Sequence, residues 1–359
     1  MSQNNKPLII LSTGGTGGHI IPAQALATEL LKKGYAVEVI TDSRGMKFTK
    51  GFGGIPIHQI SAGTFGKGLP KLILGLLQSM ILLIKNRPDC VIGFGGYPSF
   101  PGILAAQILC IPNILHESNA IFGKANKALG CLATKISLSW NKTQGLSKKE
   151  QSKSQVIGNP IREDIAVLAS TQYPDMNETL NILVMGGSLG ATVFSEVLPK
   201  SFTQLSHNQK SKLKIIQQCR EADIQAVRKA YKKANIDAEL ATFIDDVPEA
   251  LKNCHLFIGR SGGTVFEITA AGRPAIYVPY PHHADQQQKI NADAIAEKGG
   301  AWTIEEKDFT PEVLKEKIEL FLADPSTLKT AAGKAKTCGT PDAASKLADM
   351  IEPLVNVKI

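Results

Sequence analysis

The chain has 359 residues, 43% hydrophobic and 20% charged, with a formal net charge of +8. That length is comfortable for two domains, and the composition is globular rather than disordered or fibrous. The polar start from Met1 to Pro7 predicts no signal peptide, and six scattered cysteines (Cys90, Cys110, Cys131, Cys219, Cys254, Cys338) without a C-x-x-C pair argue against a disulfide frame or a zinc ribbon.

In chain order, Leu8 to Leu11 reads as a short buried strand, and residues 12–19, STGGTGGH, follow it. Pro22 then opens a helical pattern, AQALATELLKK, that Gly34 closes. The four glycines therefore sit in a strand-to-helix loop. Backbone without Cβ atoms lets a ligand come close, and the helix start behind it favours anions. A tight turn needs one or two glycines; four point to an anion or sugar site. No Gly-Lys-Ser/Thr follows, so this is not a P-loop. Ile20 stands where the dinucleotide fingerprint needs its third glycine.

After the strands YAVEVIT and IPIHQI comes a basic stretch: Ser43 to Pro88 holds seven basic residues and no acid. Residues 1–149 carry 16 Lys/Arg against 5 Asp/Glu, a net +11, whereas residues 150–359 carry −3. A basic half asks for an anionic partner. Residues 70–87, PKLILGLLQSMILLIKNR, form an apolar helix in which ten of the thirteen residues from Leu72 to Ile84 are Leu, Ile or Met. The run reads as too short to span a bilayer. Flanked by Lys71, Lys85 and Arg87, it suits an interfacial helix on anionic lipid, with Leu72, Leu76 and Ile81 as its contacts. A buried core helix is the competing reading.

The strands DCVIGFGG, PNILHE and TKISLS complete a first half. Residues 140–180 are polar and weakly periodic. NILVMGGSLGATVFSEVLP then restarts the plan of the N-terminus: apolar strand, glycine loop, helix. LKIIQQC, AELATFI, CHLFIG and RPAIYVP follow. Strands alternating with helices argue for α/β architecture with parallel sheets, here two doubly wound domains whose glycine loops share a cleft.

Eight motifs occur in order: TGGTGGH (13–19), GFGGYPSFPG (93–102), HESNAIFGKAN (116–126), GNPIR (158–162), MGGSLGA (185–191), FIDD (243–246), RSGGTVFEITAAGRPAIYVPYP (260–281) and HADQQQKINA (283–292). In this set the chain resembles the MurG family of N-acetylglucosaminyltransferases over nearly its whole length. The resemblance implies a GT-B fold, two Rossmann-like domains facing each other across a cleft. Residues 1–157 would bind acceptor and membrane, with a C-terminal helix about 341–359 packing back on them, and residues 158–340 would bind the UDP-sugar. The implied reaction is inverting transfer of N-acetylglucosamine from UDP-N-acetylglucosamine to the MurNAc 4-hydroxyl of undecaprenyl-pyrophosphoryl-MurNAc-pentapeptide (lipid I), giving lipid II for peptidoglycan. Its place would be the cytoplasmic face of the bacterial inner membrane, peripherally bound to an anionic lipid surface, with room for other cell-wall synthesis proteins as partners.

The resemblance also implies roles residue by residue. Glu267 would hold the ribose hydroxyls, the Ile244 backbone the uracil, and Gln287 and Gln288 the donor sugar. Ser188 would reach the α-phosphate with Arg162 close by to neutralise the leaving UDP. Gly263 and Thr264 lie in a loop one residue shorter than the family pattern. Thr16, Gly17, Gly18 and Asn119 complete the donor side. The acceptor side falls on Gly14, Gly15, Gly95, Gly96, Tyr97 and Asn126. His19, at the start of the first helix, is the candidate general base, because a neutral imidazole can take the hydroxyl proton at neutral pH. Glu117 is the runner-up. With no Asp-x-Asp on a strand end, neither a metal nor a cofactor is expected. Two alternatives stand beside this reading: a UDP-N-acetylglucosamine epimerase of the same fold, and a non-catalytic, membrane-attached UDP-sugar-binding subunit. A nucleic-acid partner is not expected, because stacking aromatics are missing.

Overall fold

The computed structural model describes residues 6–15, 17–64, 68–187, 190–282 and 286–355. The chain forms two compact units, Met1–Arg162 with Thr340–Ile359, and Glu163–Gly339.

In the first unit seven parallel strands run β1 (Leu8–Ser12), β2 (Ala36–Thr41), β3 (Ile57–Gln59), β4 (Cys90–Gly93), β5 (Asn113–Glu117), β6 (Lys135–Leu138) and β7 (Ser154–Val156). Their order in the sheet is β3-β2-β1-β4-β5-β6-β7. Side chains on β1 alternate between two cores. Ile9 and Leu11 pack with Ile20, Leu26 and Leu30 of α1 (Gly17–Lys32), while Ile10 packs with Ile40, Val91 and Ile103 on the other face. Both faces are covered, so the strands read as unbroken apolar runs. The helix Ala343–Val355 adds Leu347 and Ile351 to the first of these cores, and Lys33 pairs with Asp349 at 2.6 Å.

The second unit repeats the plan with β8 (Leu180–Met185), β9 (Leu213–Gln218), β10 (Asp237–Ala241), β11 (Leu256–Gly259), β12 (Ala275–Tyr277) and β13 (Ala301–Thr303), ordered β10-β9-β8-β11-β12-β13 and parallel throughout. Its main core joins Ile182 and Val184 to Phe194, Leu198 and Phe202, with Leu314 and Phe321 from the helix Pro311–Ala323. In each sheet the winding reverses at one place, between β1 and β4 and between β8 and β11. A doubly wound sheet opens a crevice there, at the carboxyl ends of the strands. The loops after those four strands carry TGGTGGH, GFGGYPSFPG, MGGSLGA and RSGG.

Three details differ from the sequence reading. First, α1 begins at Gly17 rather than at Pro22, so His19 lies in its first turn. The bond that Pro22 cannot make is to the Gly18 carbonyl at the very start of the helix, where its loss matters least. Second, GNPIR stays with the first unit. Asn159 accepts a hydrogen bond from His116 at 3.0 Å, and Gly158 packs so tightly on Thr340 that no Cβ would fit. Third, α2 (Leu69–Asn86) has 18 residues and is, by length and composition, long and apolar enough to cross a membrane.

The helix α2 is nevertheless docked along one side. Leu72, Gly75, Ser79 and Leu83 form its buried stripe, lying against α3 (Gly96–Ile108) and the strand-end segment at Ser61. A Cβ at Gly75 would run into the Ser61 carbonyl, which explains the glycine at that position. Leu72, expected at a lipid surface, is therefore core, and Leu76 is half-buried against the same cluster. The opposite face, with Leu69, Ile73, Leu74, Leu77, Ile81 and Ile84, is exposed, as are Lys71, Lys85 and Arg87.

Candidate active site

At the first switch point, Thr13 closes the end of β1 by donating its hydroxyl to the His19 carbonyl at 2.8 Å. Gly15 and Gly14 both have positive φ, and Gly15 donates its N–H to Asp42 Oδ1 at 3.0 Å. Asp42 lies just past β2; it also accepts from the Gly45 N–H at 3.0 Å and from Arg44 Nε at 2.8 Å. Burial pushes the Asp42 carboxyl up, but Arg44 and the two N–H groups outweigh it and hold it below the ordinary carboxylate range. This latch, which sequence reading missed, fixes the glycine loop.

The His19 ring packs on the second glycine cluster. Gly95 and Gly96 have φ of 81° and 70°, a region that favours glycine. A Cβ on Gly96 would stand 3.1 Å from His19 Nε2, and one on Gly95 3.4 Å from Asn126 Nδ2. His19, Gly95, Gly96 and Asn126 are thus brought together. Among the described residues, His19 Nδ1 and Asn126 Oδ1 are buried without a hydrogen-bond partner. Burial lowers the His19 pKa, with a backbone hydrogen bond at Phe94 acting the other way. Its imidazole is neutral at pH 7. Tyr97, in the first turn of α3, is half-buried.

Glu117, the runner-up base, is placed differently. It is buried, and both its oxygens are committed: Oε1 accepts from the Asn119 N–H at 3.0 Å and Asn119 Nδ2 at 3.1 Å, Oε2 from the Gly123 N–H at 2.8 Å and Asn126 Nδ2 at 2.9 Å. Burial raises its pKa against the pull of those four donors. A carboxylate so enclosed shapes the HESNAIFGKAN loop and orients Asn119 and Asn126; it has no lone pair left over for a substrate proton. Its neighbour His116 is structural too. Nε2–H donates to Asn159 Oδ1, so Nδ1 accepts from the Ser137 hydroxyl at 2.8 Å.

Burial lowers the His116 pKa to about 4, against the hydrogen bond it donates to Asn159 and with a smaller push from His19. The unfolded chain takes up this proton near pH 6.5, the folded one only near 4. Stability is therefore intact above pH 6.5 and falls as the pH drops towards 4. A shift of that size corresponds to about 3 kcal/mol, and His19 adds to it with the same sign. Urea unfolding at pH 7.5 and pH 5 should show the loss, and a His116→Gln variant should show a shallower pH dependence between those points.

In the second unit, Ile244 lies between β10 and the helix Val247–Asn253, which Asp246 caps by accepting from the Glu249 N–H at 2.9 Å. Thr264 opens the helix Thr264–Ala270 directly after Gly263, and Glu267 is buried one turn in. Gln288 is drawn to the RSGG loop: its Oε1 accepts from the Tyr280 N–H at 3.0 Å, its carbonyl accepts from the Ser261 hydroxyl at 2.7 Å, and its Nε2 lies beside Gly262. Asn291 Nδ2 donates to the Ser261 carbonyl at 3.2 Å. The helix Gln287–Ala296 is thus stitched to the loop after β11. Arg260 supports the same region. Its Nη1 donates to the Val278 carbonyl at 2.8 Å and the Pro279 carbonyl at 3.1 Å, its Nη2 pairs with Glu306, and the guanidinium lies over Phe194 and Tyr280. Arg260, Ser261 and Asn291 lie inside recognised motifs, but their roles follow only from the packing. Arg162 and Asn119 are half-buried in the first unit, and Gln287 is half-buried in the second. Gly17 and Gly18 belong to α1. Thr16 and Ser188 lie outside the described residues. Among the described residues, no group of three His, Cys, Asp or Glu could hold a metal ion.

Residues 9–138 match the glycosyltransferase family 28 N-terminal domain, and residues 181–347 match the family's C-terminal domain. The chain belongs to glycosyltransferase family 28. One relative within the family, from Rhodospirillum centenum, is the "UDP-N-acetylglucosamine--N-acetylmuramyl-(pentapeptide) pyrophosphoryl-undecaprenol N-acetylglucosamine transferase"; it is 44% identical over 96% of this chain and 93% of its own length. The crystal structure of Acinetobacter baumannii MurG superposes with a TM-score of 0.80 at 31% identity, covering 97% of this chain and 99% of that one. The fold is therefore GT-B, and the MurG resemblance carried by the eight motifs holds across both units. The UDP-GlcNAc 2-epimerase of Neisseria meningitidis, bound to UDP-GlcNAc, superposes with a TM-score of 0.70 over 97% of this chain and 100% of its own, but at 15% identity. That likeness is one of fold alone.

Proposed function

We propose that the enzyme transfers N-acetylglucosamine from UDP-N-acetylglucosamine to the 4-hydroxyl of lipid I, forming lipid II. The observation that carries this reading is His19, a neutral imidazole held in the first turn of α1 against the two left-handed glycines of the second cluster. The relatives act on a pyrophosphoryl-undecaprenol substrate, and a sugar hydroxyl is a poor nucleophile until its proton is removed. His19 takes that proton as the oxygen attacks C1 of the donor sugar. The bond from C1 to the UDP oxygen breaks, its electron pair leaves with UDP, and the anomeric centre inverts. Gly14, Gly15, Gly95, Gly96, Tyr97 and Asn126 hold the acceptor on the first unit. On the second, Glu267 takes the ribose, Ile244 the uracil, Gln287 and Gln288 the sugar, and Gly263 and Thr264 the diphosphate, with Ser188 at the α-phosphate. Arg162, Asn119 and the Thr16-Gly17-Gly18 stretch serve the donor from the first unit. Glu117 orients Asn119 and Asn126 rather than acting as base.

The exposed apolar face of α2, flanked by Lys71, Lys85 and Arg87, supports the further reading that the enzyme binds peripherally to anionic lipid, on the cytoplasmic face of the inner membrane, where a lipid-linked acceptor would be met. Labelled UDP-N-acetylglucosamine, given with and without a lipid I analogue in EDTA, tests the reaction. Label should enter the lipid only when acceptor is present. Turnover of the sugar nucleotide without acceptor would instead support the epimerase, and binding without transfer would support a non-catalytic subunit.

A further inference from the structure

The two glycine loops are latched by the same device with different charge. In the second unit, Gly186 donates its N–H to Gln218 Oε1 at 3.1 Å, and Gln218 Nε2 donates to the Thr242 carbonyl at 3.3 Å. In the first unit the corresponding place, at the end of the neighbouring strand, is held by Asp42. Gln218 is neutral, so an anion can approach its loop without penalty. Asp42 is a carboxylate beside a loop whose Gly15 N–H it already occupies, and a second anion brought there meets like charge.

An arginine follows each latch by two residues, and the two arginines differ in what they are doing. Arg220 packs its stem on Gly190 and is tied off by Asp223, with Nε and Nη2 donating to the two carboxylate oxygens at 2.9 and 3.1 Å. Arg44 uses only its Nε, on Asp42. Its guanidinium lies beside Gly15, where a Cβ would be 3.7 Å from Nη2, and Pro98 from the second glycine cluster lies 3.6 Å from the same point. Among the described residues neither Nη group of Arg44 has another partner, and the side chain is 63% exposed. A guanidinium with one edge anchored and the other open is preorganised for bidentate contact with phosphate oxygens.

We propose that Arg44 is the phosphate clamp of the acceptor site, fixed on Asp42 through Nε and meeting the diphosphate of the lipid-linked substrate with its two Nη groups beside Gly15. This rests on the transferase reading and names the residue that lets a loop carrying its own carboxylate accept a dianionic substrate.

The test compares two acceptors, a short-chain polyprenyl diphosphate carrying MurNAc-pentapeptide and its monophosphate counterpart, in the wild type, Arg44→Ala and Arg44→Lys. Arg44→Ala should raise KM for the diphosphate acceptor about tenfold or more, leave KM for UDP-N-acetylglucosamine and the melting temperature unchanged, and narrow the preference for diphosphate over monophosphate. Arg44→Lys should recover part of the loss, because it restores charge without the fork. An equal loss on both acceptors overturns the clamp and leaves Arg44 as a brace for Asp42; an unchanged diphosphate KM overturns it outright. Should the alanine variant melt early, Arg44→Gln, which can still donate to Asp42, decides by the same acceptor comparison. If the wild type transfers to neither acceptor, the transferase reading itself fails, a result distinct from any of these.

Discussion

Replacing His19 with Ala is expected to lower the turnover number by about 10²- to 10⁴-fold, the range that general-base catalysis supplies, while affinity for UDP-N-acetylglucosamine stays within experimental error. The split follows from where the ring lies. His19 touches Gly95 and Gly96 in the first unit, whereas Gln288, Glu267 and the RSGG loop are assembled entirely within the second. Single-turnover transfer measured beside donor binding by calorimetry separates the two effects. Retained turnover would remove the base from the mechanism, and loss of donor binding would make His19 a structural residue. Because burial lowers its pKa, the imidazole stays neutral to lower pH than an exposed histidine. The acid limb of kcat in the wild type should therefore fall below pH 6.5, and the limb should be missing from the residual activity of the variant.

The alternating strands were legible because parallel, doubly covered strands are apolar throughout, and Leu8–Leu11, Cys90–Gly93 and Leu180–Met185 all show it. The glycine loops were legible because nothing else explains so many glycines at strand ends. Less so was the start of α1: glycines argue against helix by propensity, yet the helix begins at Gly17 and Gly18, with the Thr13 hydroxyl donating to the His19 carbonyl in that first turn. Asp42 and Arg44 were invisible for a different reason. Their role depends on strand pairing that puts the end of β2 beside the loop after β1, and pairing is set by tertiary register, not by local pattern. Glu117 beside a histidine suits either a base or an orienting partner by sequence; only the backbone path of the loop that follows delivers the Gly123 and Asn126 donors that enclose it. For α2 a usable signal was present. Gly75 and Ser79, four apart and in line with Leu72 and Leu83, mark the side that approaches a neighbour closely.

That assignment of faces makes the second large effect specific. Changing Ile73, Leu77 and Ile81 together to Asp is expected to release the enzyme from vesicles rich in anionic lipid, weakening binding by about a thousandfold or more. The three side chains are 51%, 53% and 69% exposed, so the folded state in water loses little packing when they change. Each would give up about 1.5–3 kcal/mol of apolar burial in the lipid interface at most, and each new carboxylate is repelled by the anionic surface where a cation would gain about 1 kcal/mol. Co-sedimentation with vesicles should show the release, and an unchanged melting temperature should show that the fold survives. Lys71, Lys85 and Arg87 are expected to supply the salt-sensitive share: their exchange for Gln should weaken binding at low ionic strength and matter less at high. The same Asp placed at Leu72 or Leu83 has the opposite signature, because both are buried against the sheet and α3. It should unfold the first unit rather than free it from lipid. If the exposed triple melts early instead, or stays on the vesicles, the face presented by α2 is not the one that meets the membrane.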